Sequence, residues 1–335
     1  MFEIVLEKTL TKTRYRSLLW VGGLALAALA WPALGTNTSL DQKSILYPEQ
    51  RHENIGELVT QFVEKQHYNS IAVDDDLSSR VLDLFIESLD RNRVYLLEGD
   101  VEFFETYRFQ LDDMVRSRPL DPVFEMYQVY QTRVHERLEF ALEQLQVEPD
   151  FLVEESYQFD RSEEPWAKTS AELDEIWRKR VKNDALNLVL EGEPWEKAQE
   201  VLIKRYKGYL RRLDQVNNDD VFERFMNAFA HTLDPHSSYL SPRNSEEYRI
   251  QMSLSYFGIG ASLQTEDDFV KIAGIIPGGP AAIDGQLKPE DRITGVAQGT
   301  EGEVVDVIGW RLDDVVELIR GPANSVVRLE IIPAN

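Results

Sequence analysis

The stretch LDPHSSYLSPRNSEEY, residues 233–248, constrains this chain more than any other feature, because the hydrophobic period changes across it. Two prolines and a cluster of Ser, Asn and Asp mark it as a linker or hinge. Upstream, from about Glu49 to Ala230, apolar residues recur every three to four positions, the spacing of helices that bury one stripe. In NIGELVTQFVEKQHY, Ile55, Leu58, Val59 and Phe62 share a face; in RVLDLFIESLD the set is Val81, Leu82, Phe85, Ile86 and Leu89. VFEMYQVYQTRVHERLEFALEQL carries Phe124, Tyr127, Val134, Leu138 and Leu142 with charges between them. Downstream, ASLQTEDDFVKIAGIIPG reads as two short strands around the acidic turn Glu266–Asp268, and GGPAAIDGQLKPEDRI as a short helix, a turn and a strand start. WRLDDVVELIRG is a helix closed by glycine, and SVVRLEIIP a last strand that stops at Pro333. The two periods predict a mainly α N-terminal domain followed by a small α+β module, a short barrel-like sheet with two helices.

Within the helical half, Asp100 and Ser170 are placed as N-caps, and Pro122, Pro165 and Pro194 fall near helix starts or breaks. The aromatics Phe103, Phe104, Tyr107, Phe109, Tyr127 and Tyr130 are expected in its core. Residues 1–35 have the character of an export signal. Lys8, Lys12, Arg14 and Arg16 precede the apolar run LLWVGGLALAALAW, and small residues follow at Ala33 and Gly35. The apolar run is short for a retained membrane anchor of about 20 residues, so cleavage is expected, leaving no membrane contact. The expected division is 1–35 signal peptide, 36–232 helical domain, 233–248 hinge and 249–335 α+β module.

Loss of the signal takes the net charge from −23 to −25. A chain this acidic excludes a nucleic-acid backbone as a general partner. There are no cysteines, and therefore no disulfide, thiol nucleophile or Cys-ligated metal. The expectation is no cofactor and no metal. His231, Asp234 and His236 have a spacing that fits no common zinc motif, and Asp74–Asp76 lacks an EF-hand continuation. HTLDPHSS contains the residue types of a triad (His231, Asp234, His236, Ser237, Ser238), but triad members converge from separate elements. His52, His67 and His135 sit on predicted helices as surface or core residues.

The stretch YFGIGASLQ sets two glycines one residue apart before a strand. A dinucleotide fingerprint requires a third glycine where Leu263 stands, and a helix rather than a strand after it. Two readings stay open: plain turn glycines, or backbone N–H groups presented to a peptide carboxylate while the peptide joins the sheet edge.

FGIG, the following strand, GGPAAIDGQLKPEDRI and RLDDVVELIRGP together resemble a PDZ domain of the bacterial protease type, over about residues 249–335. LDRNRVYLLEGDVEFF and LDPHSSYLSP extend the likeness to the N-terminal region of tail-specific proteases, also called C-terminal processing peptidases. The resemblance implies that Phe257, Gly258, Ile259 and Gly260 hold a ligand's terminal carboxylate. It places the peptide between the strand Ala261–Gln264, with Ala261, Ser262 and Leu263 in contact, and a helix wall drawn from Leu312, Val315, Val316 and Ile319. Three or four backbone bonds at about 1 kcal/mol each and one buried side chain at about 2 kcal/mol, set against the cost of association, predict binding in the micromolar range or weaker.

The resemblance further implies a periplasmic protein whose partners are C-terminal tails of unfolded or tagged proteins, with an adaptor of lipoprotein type on the helical domain. In that family the catalytic Ser–Lys pair follows PDZ, so no catalytic residue is assigned here. The expectation is a substrate-recognition portion of a serine protease, inactive alone. The alternatives are a truncated product of a full endopeptidase gene, or an assembly module with a degenerate PDZ.

Overall fold

The computed structural model describes residues 2–5, 45–69, 71–117, 119–253, 258–322 and 325–334. It divides into two compact units, residues 43–249 and a second formed by 250–335 with 1–42.

The first unit is helical: α1 (Gln50–Gln66), α2 (Asp75–Asp90), α3 (Glu98–Glu105), α4 (Leu111–Ser117), α5 (Asp121–Gln144), α6 (Ser170–Leu190), α7 (Trp195–Asp214) and α8 (Asn218–Leu233), followed by α9 (Pro242–Ser253). It has two hydrophobic cores, and α5 serves both. At 24 residues α5 is about 36 Å long. Its first half places Phe124 and Tyr127 among Leu77, Phe85, Phe222 and Phe225. Its second half places Val134, Leu138 and Ala141 among Trp177, Leu202 and Tyr206. The polar atoms of these buried rings are satisfied: Trp177 Nε1–H donates to Val94 O at 2.7 Å and Tyr206 O–H to Asp184 at 2.7 Å.

The LDRNRVYL stretch owes its shape to Asp90, at the C-terminal end of α2. Its buried carboxylate accepts the backbone N–H groups of Val94, Tyr95 and Leu96 at 3.0, 2.7 and 2.9 Å. Arg93 within that loop is left-handed, with φ 52°.

Several sequence expectations change here. Leu58 and Phe62 are 65% and 56% exposed; the buried residues of α1 are His52, Gly56, Thr60 and Val63. The cause is a close helix approach, since a Cβ at Gly56 would lie 3.0 Å from Val115 O. Phe109 is 58% exposed, not core, whereas Phe104 and Tyr127 are buried. Thr169, one residue before Ser170, caps α6 by accepting Glu172 N–H, and Asp100 sits three residues inside the cap of α3, accepting Leu97 N–H. Within the breaker-rich stretch, Leu233 ends α8 and Pro242 begins α9, with Ser241 Oγ accepting Asn244 N–H at 3.3 Å as a cap.

The second unit carries β2 (Ala261–Glu266), β3 (Phe269–Ile275), α10 (Pro280–Asp284), β4 (Arg292–Gln298), β5 (Val305–Asp306), α11 (Leu312–Ile319) and β6 (Val327–Ile332). A strand at the chain start, β1 (Phe2–Val5), pairs antiparallel with β6. The sheet order is β1-β6-β4-β3-β2, with β5 on β4. The β2–β3 hairpin turns at Asp267 and Asp268, Asp267 at φ 53°. Ile259, Val270, Ile272, Ile293, Val296, Val315 and Leu329 form one core. The apolar run and cleavage site expected of a signal peptide lie outside the described residues.

Candidate functional site

Among the described residues, β2 ends the sheet series and pairs only with β3. Such an edge offers alternate N–H and C=O groups to one more extended segment. α11 lies against β2. Gly309 N–H donates to Asp268 O at 2.7 Å, which ties the start of α11 to the β2–β3 turn. α11 therefore starts beside that turn, at the end of β2 away from the glycines that precede it.

The glycine turn is built from its carbonyls. Ile259 O accepts Ala281 N–H at 2.8 Å, and Gly260 O accepts Ile276 N–H at 2.8 Å. Across a trans peptide plane the N–H points opposite the C=O. The N–H groups of Gly260 and Ala261 are accordingly both aimed away from the 276–281 segment. Gly260 has φ 74°, the left-handed conformation that turns successive N–H groups to one side and that glycine adopts without a Cβ clash. Ile259 is 6% exposed and anchors the turn in the core. Two convergent amides at the end of an open strand edge suit a carboxylate at the end of an extended peptide.

Ala261 and Leu263 are half-buried against the core, and exposed Ser262 donates its Oγ–H to Gly274 O at 3.3 Å. The four helix residues divide. Val315 is 0% exposed and Ile319 6%, both within the core, so they support the wall from behind. Leu312 and Val316 are half-buried on α11. Gly258 is exposed; Phe257 lies outside the described residues. Sequence reading missed Ile276 and Ala281, whose amides hold the turn; GGPA was visible as a motif, but nothing in it announces that Ala281 bonds Ile259, far back along the chain.

At the opposite end of β2, Lys271 Nζ, nearly buried, bridges Glu266 at 3.0 Å and Glu290 at 2.7 Å, and Arg292 reaches Glu266 at 3.0 Å. The hydrogen bond from Lys271, then that from Arg292, holds the Glu266 carboxyl below its ordinary range.

Comparison with known proteins supplies the lineage. The tail specific protease N-terminal domain family matches residues 59–243, and the PDZ domain family matches residues 247–332. This chain belongs to the tail-specific protease family. The tail-specific protease of Haemophilus influenzae is 38% identical over 308 residues, 91% of this chain and 44% of that protein. The chain thus spans under half the length of that relative. The carboxy-terminal processing protease CtpA of Bacillus subtilis is 34% identical over 98 residues, 29% of this chain and 20% of that protein. The PDZ domain of a carboxy-terminal protease from Vibrio cholerae, solved in complex with a peptide, is 54% identical over 23% of this chain and 79% of that chain, with a TM-score of 0.23.

Within the tail-specific protease N-terminal domain, HTLDPHSS has a structural explanation. Asp234 accepts the backbone N–H groups of His236 and Ser237 at 2.7 and 2.9 Å and Ser237 Oγ–H at 2.6 Å. His67 Nε2 joins it at 3.1 Å from the end of α1. The Ser237 hydrogen bond, then the His236 amide, holds the Asp234 carboxyl down to about 2. Ser237 Oγ–H and His67 Nε2 are thus each held by Asp234. Ser238 Oγ and His231 Nε2 meet only at 3.5 Å, exposed. His52 Nδ1 accepts Glu49 N–H at 3.1 Å, which leaves the proton on Nε2, facing Asp219 at 2.8 Å. His135 faces Asp214 at 2.8 Å.

Among the described residues no group of three or more His, Asp or Glu is placed to hold a metal ion. A cleft of about 370 Å³ beside the Asp90 loop is lined by Asp83, Glu87, Arg93, Glu105 and Trp166. Of its acidic lining, Asp83 and Glu105 pair with Arg108 and Glu87 with Arg91.

Proposed function

We propose that this chain is the substrate-recognition portion of a periplasmic tail-specific serine protease. It captures C-terminal carboxylates of unfolded or tagged proteins by adding the tail as a strand along β2. The observation that carries this reading is the alignment of an unpaired strand edge with two amides turned outward at its head, Gly260 and Ala261. The tail lies antiparallel to β2, its carboxylate at the glycine turn and its side chains alternating between α11 and solvent. Leu263, Leu312 and Val316 offer an apolar wall, so apolar last residues are preferred.

The test is fluorescence polarisation of a labelled peptide ending in apolar residues, beside the same peptide amidated at its C-terminus. Saturable binding of the acid, on the order of micromolar, and at least tenfold weaker binding of the amide are expected. Equal binding of both, or binding of neither, rejects the reading.

A further inference from the structure

Gly279 has an ordinary backbone, φ −76° and ψ 166°, that any residue adopts. Its requirement for glycine therefore comes from its surroundings. A Cβ on Gly279 would lie 2.9 Å from Gly260 Cα and 3.2 Å from Ile276 O. Reciprocally, a Cβ on Gly260 would lie 2.8 Å from Gly279 Cα and 3.2 Å from Pro280 Cδ. The two glycines touch backbone to backbone, at distances no side chain permits. On either side of this contact stand the two bonds that orient the turn, Ile276 N–H to Gly260 O and Ala281 N–H to Ile259 O, both 2.8 Å. Gly279 N–H closes its own turn onto Ile276 O at 3.1 Å.

From this contact we infer that Gly279 is a positioning residue for carboxylate recognition, acting on the amides of Gly260 and Ala261 from the side opposite the ligand. The inference rests on the tail-capture reading above and deepens it. The direction of the two amides is set by where the preceding carbonyls are anchored, and that anchor is the 276–281 turn. A methyl at Gly279 forces that turn and the glycine turn apart, stretches both bonds and rotates the peptide planes. The strand edge and the apolar wall survive the change, because neither contacts Gly279 in the pairings of β2 or the core. What is lost is the distinction between a terminal carboxylate and an uncharged end.

The experiment compares wild type, Gly279→Ala and Gly285→Ala in the full chain, each titrated with the acid and amide forms of one apolar-ended peptide. Gly285 has φ 74° with open space around its Cβ direction, so its substitution strains α10 without touching the glycine turn. Gly279→Ala is expected to bring the acid-to-amide affinity ratio from above tenfold to near one, while Gly285→Ala lowers thermal stability and keeps the ratio. A wild-type ratio retained by Gly279→Ala overturns the inference and leaves tail capture standing. A wild-type ratio of one overturns both. Should Gly279→Ala not fold, wild type still decides by amide NMR. The acid peptide must shift the Gly279 and Ala281 resonances together with those of Gly260 and Ala261, and the amidated peptide must not. Unmoved Gly279 and Ala281 resonances overturn the inference.

Discussion

Two aspartates show how much one side chain fixes in the helical unit. Asp90 satisfies three consecutive amides, two of them on buried residues, and removing it leaves those amides without acceptors. Each orphaned buried amide costs about 1–3 kcal/mol, so Asp90→Ala is expected to lower the stability of the helical unit by about 3 kcal/mol or more, read by urea denaturation. A loss below about 1 kcal/mol would show that water replaces the carboxylate. Asp234 acts instead through its charge. Its carboxyl is depressed from 3.8 to about 2, first by the Ser237 hydroxyl. A depressed acid stabilises the fold fully above its unfolded pKa and loses that contribution as pH falls through the folded one. The stability gap between wild type and Asp234→Asn should therefore be constant near neutrality and shrink between about pH 4 and pH 2. Urea midpoints at half-unit pH steps measure it, and a gap independent of pH would assign the role of Asp234 to geometry alone.

At the scale of elements, α11 separates two roles that its sequence merges. Val315 is fully buried, whereas Leu312 and Val316 are half-buried and stand on the wall proposed above for the peptide. Val315→Ala should cost the second unit about 2 kcal/mol and leave peptide affinity nearly unchanged once the unit is folded. Leu312→Ala should cost little stability and weaken an apolar-ended peptide about fivefold, the worth of about 1 kcal/mol of lost burial. Thermal melts and polarisation on the same samples compare them, and a reversed pattern would place the groove on the other face of α11. Much of the fold was legible because period and breakers report backbone geometry directly: the hairpin around Asp267, the glycine after α11 and the final strand all lie where the pattern puts them. Period reports which face is apolar, not which face is buried. On α1 the face of His52, Gly56 and Thr60 goes inward because Gly56 lets α4 approach, leaving Leu58 and Phe62 outside. Within residues 233–248 the prolines mark breaks in the pattern without giving their form, and Pro242 opens α9, as proline does at a helix start. At the site, FGIG betrayed a special backbone through its glycines. Gly279 did not, because its dihedrals are ordinary and only the fold brings it to Gly260.

For the molecule as a whole, each unit has core residues of its own among the described residues. The cores of the helical unit draw on residues between Leu46 and Tyr239, and that of the second on residues between Ile259 and Ile331. Burial of apolar area is the main source of stability, and each unit obtains its share internally. β2, α11, the glycine turn and its 276–281 anchor, on which the proposed tail capture depends, all belong to the second unit. A lesion in the helical core should then leave tail capture intact. Phe225 in α8 is fully buried and meets Phe85 edge-on at 5.7 Å between ring centroids. Phe225→Ala is expected to destabilise the helical unit by about 3–5 kcal/mol, and hydrogen exchange should quicken through α2, α5 and α8 while β3, β4 and β6 keep their protection. On the same protein, the acid-to-amide affinity ratio should match wild type. If exchange instead quickens in both units to the same extent, the chain unfolds as one cooperative block, and recognition depends on the helical unit for its stability as well as for its attachment.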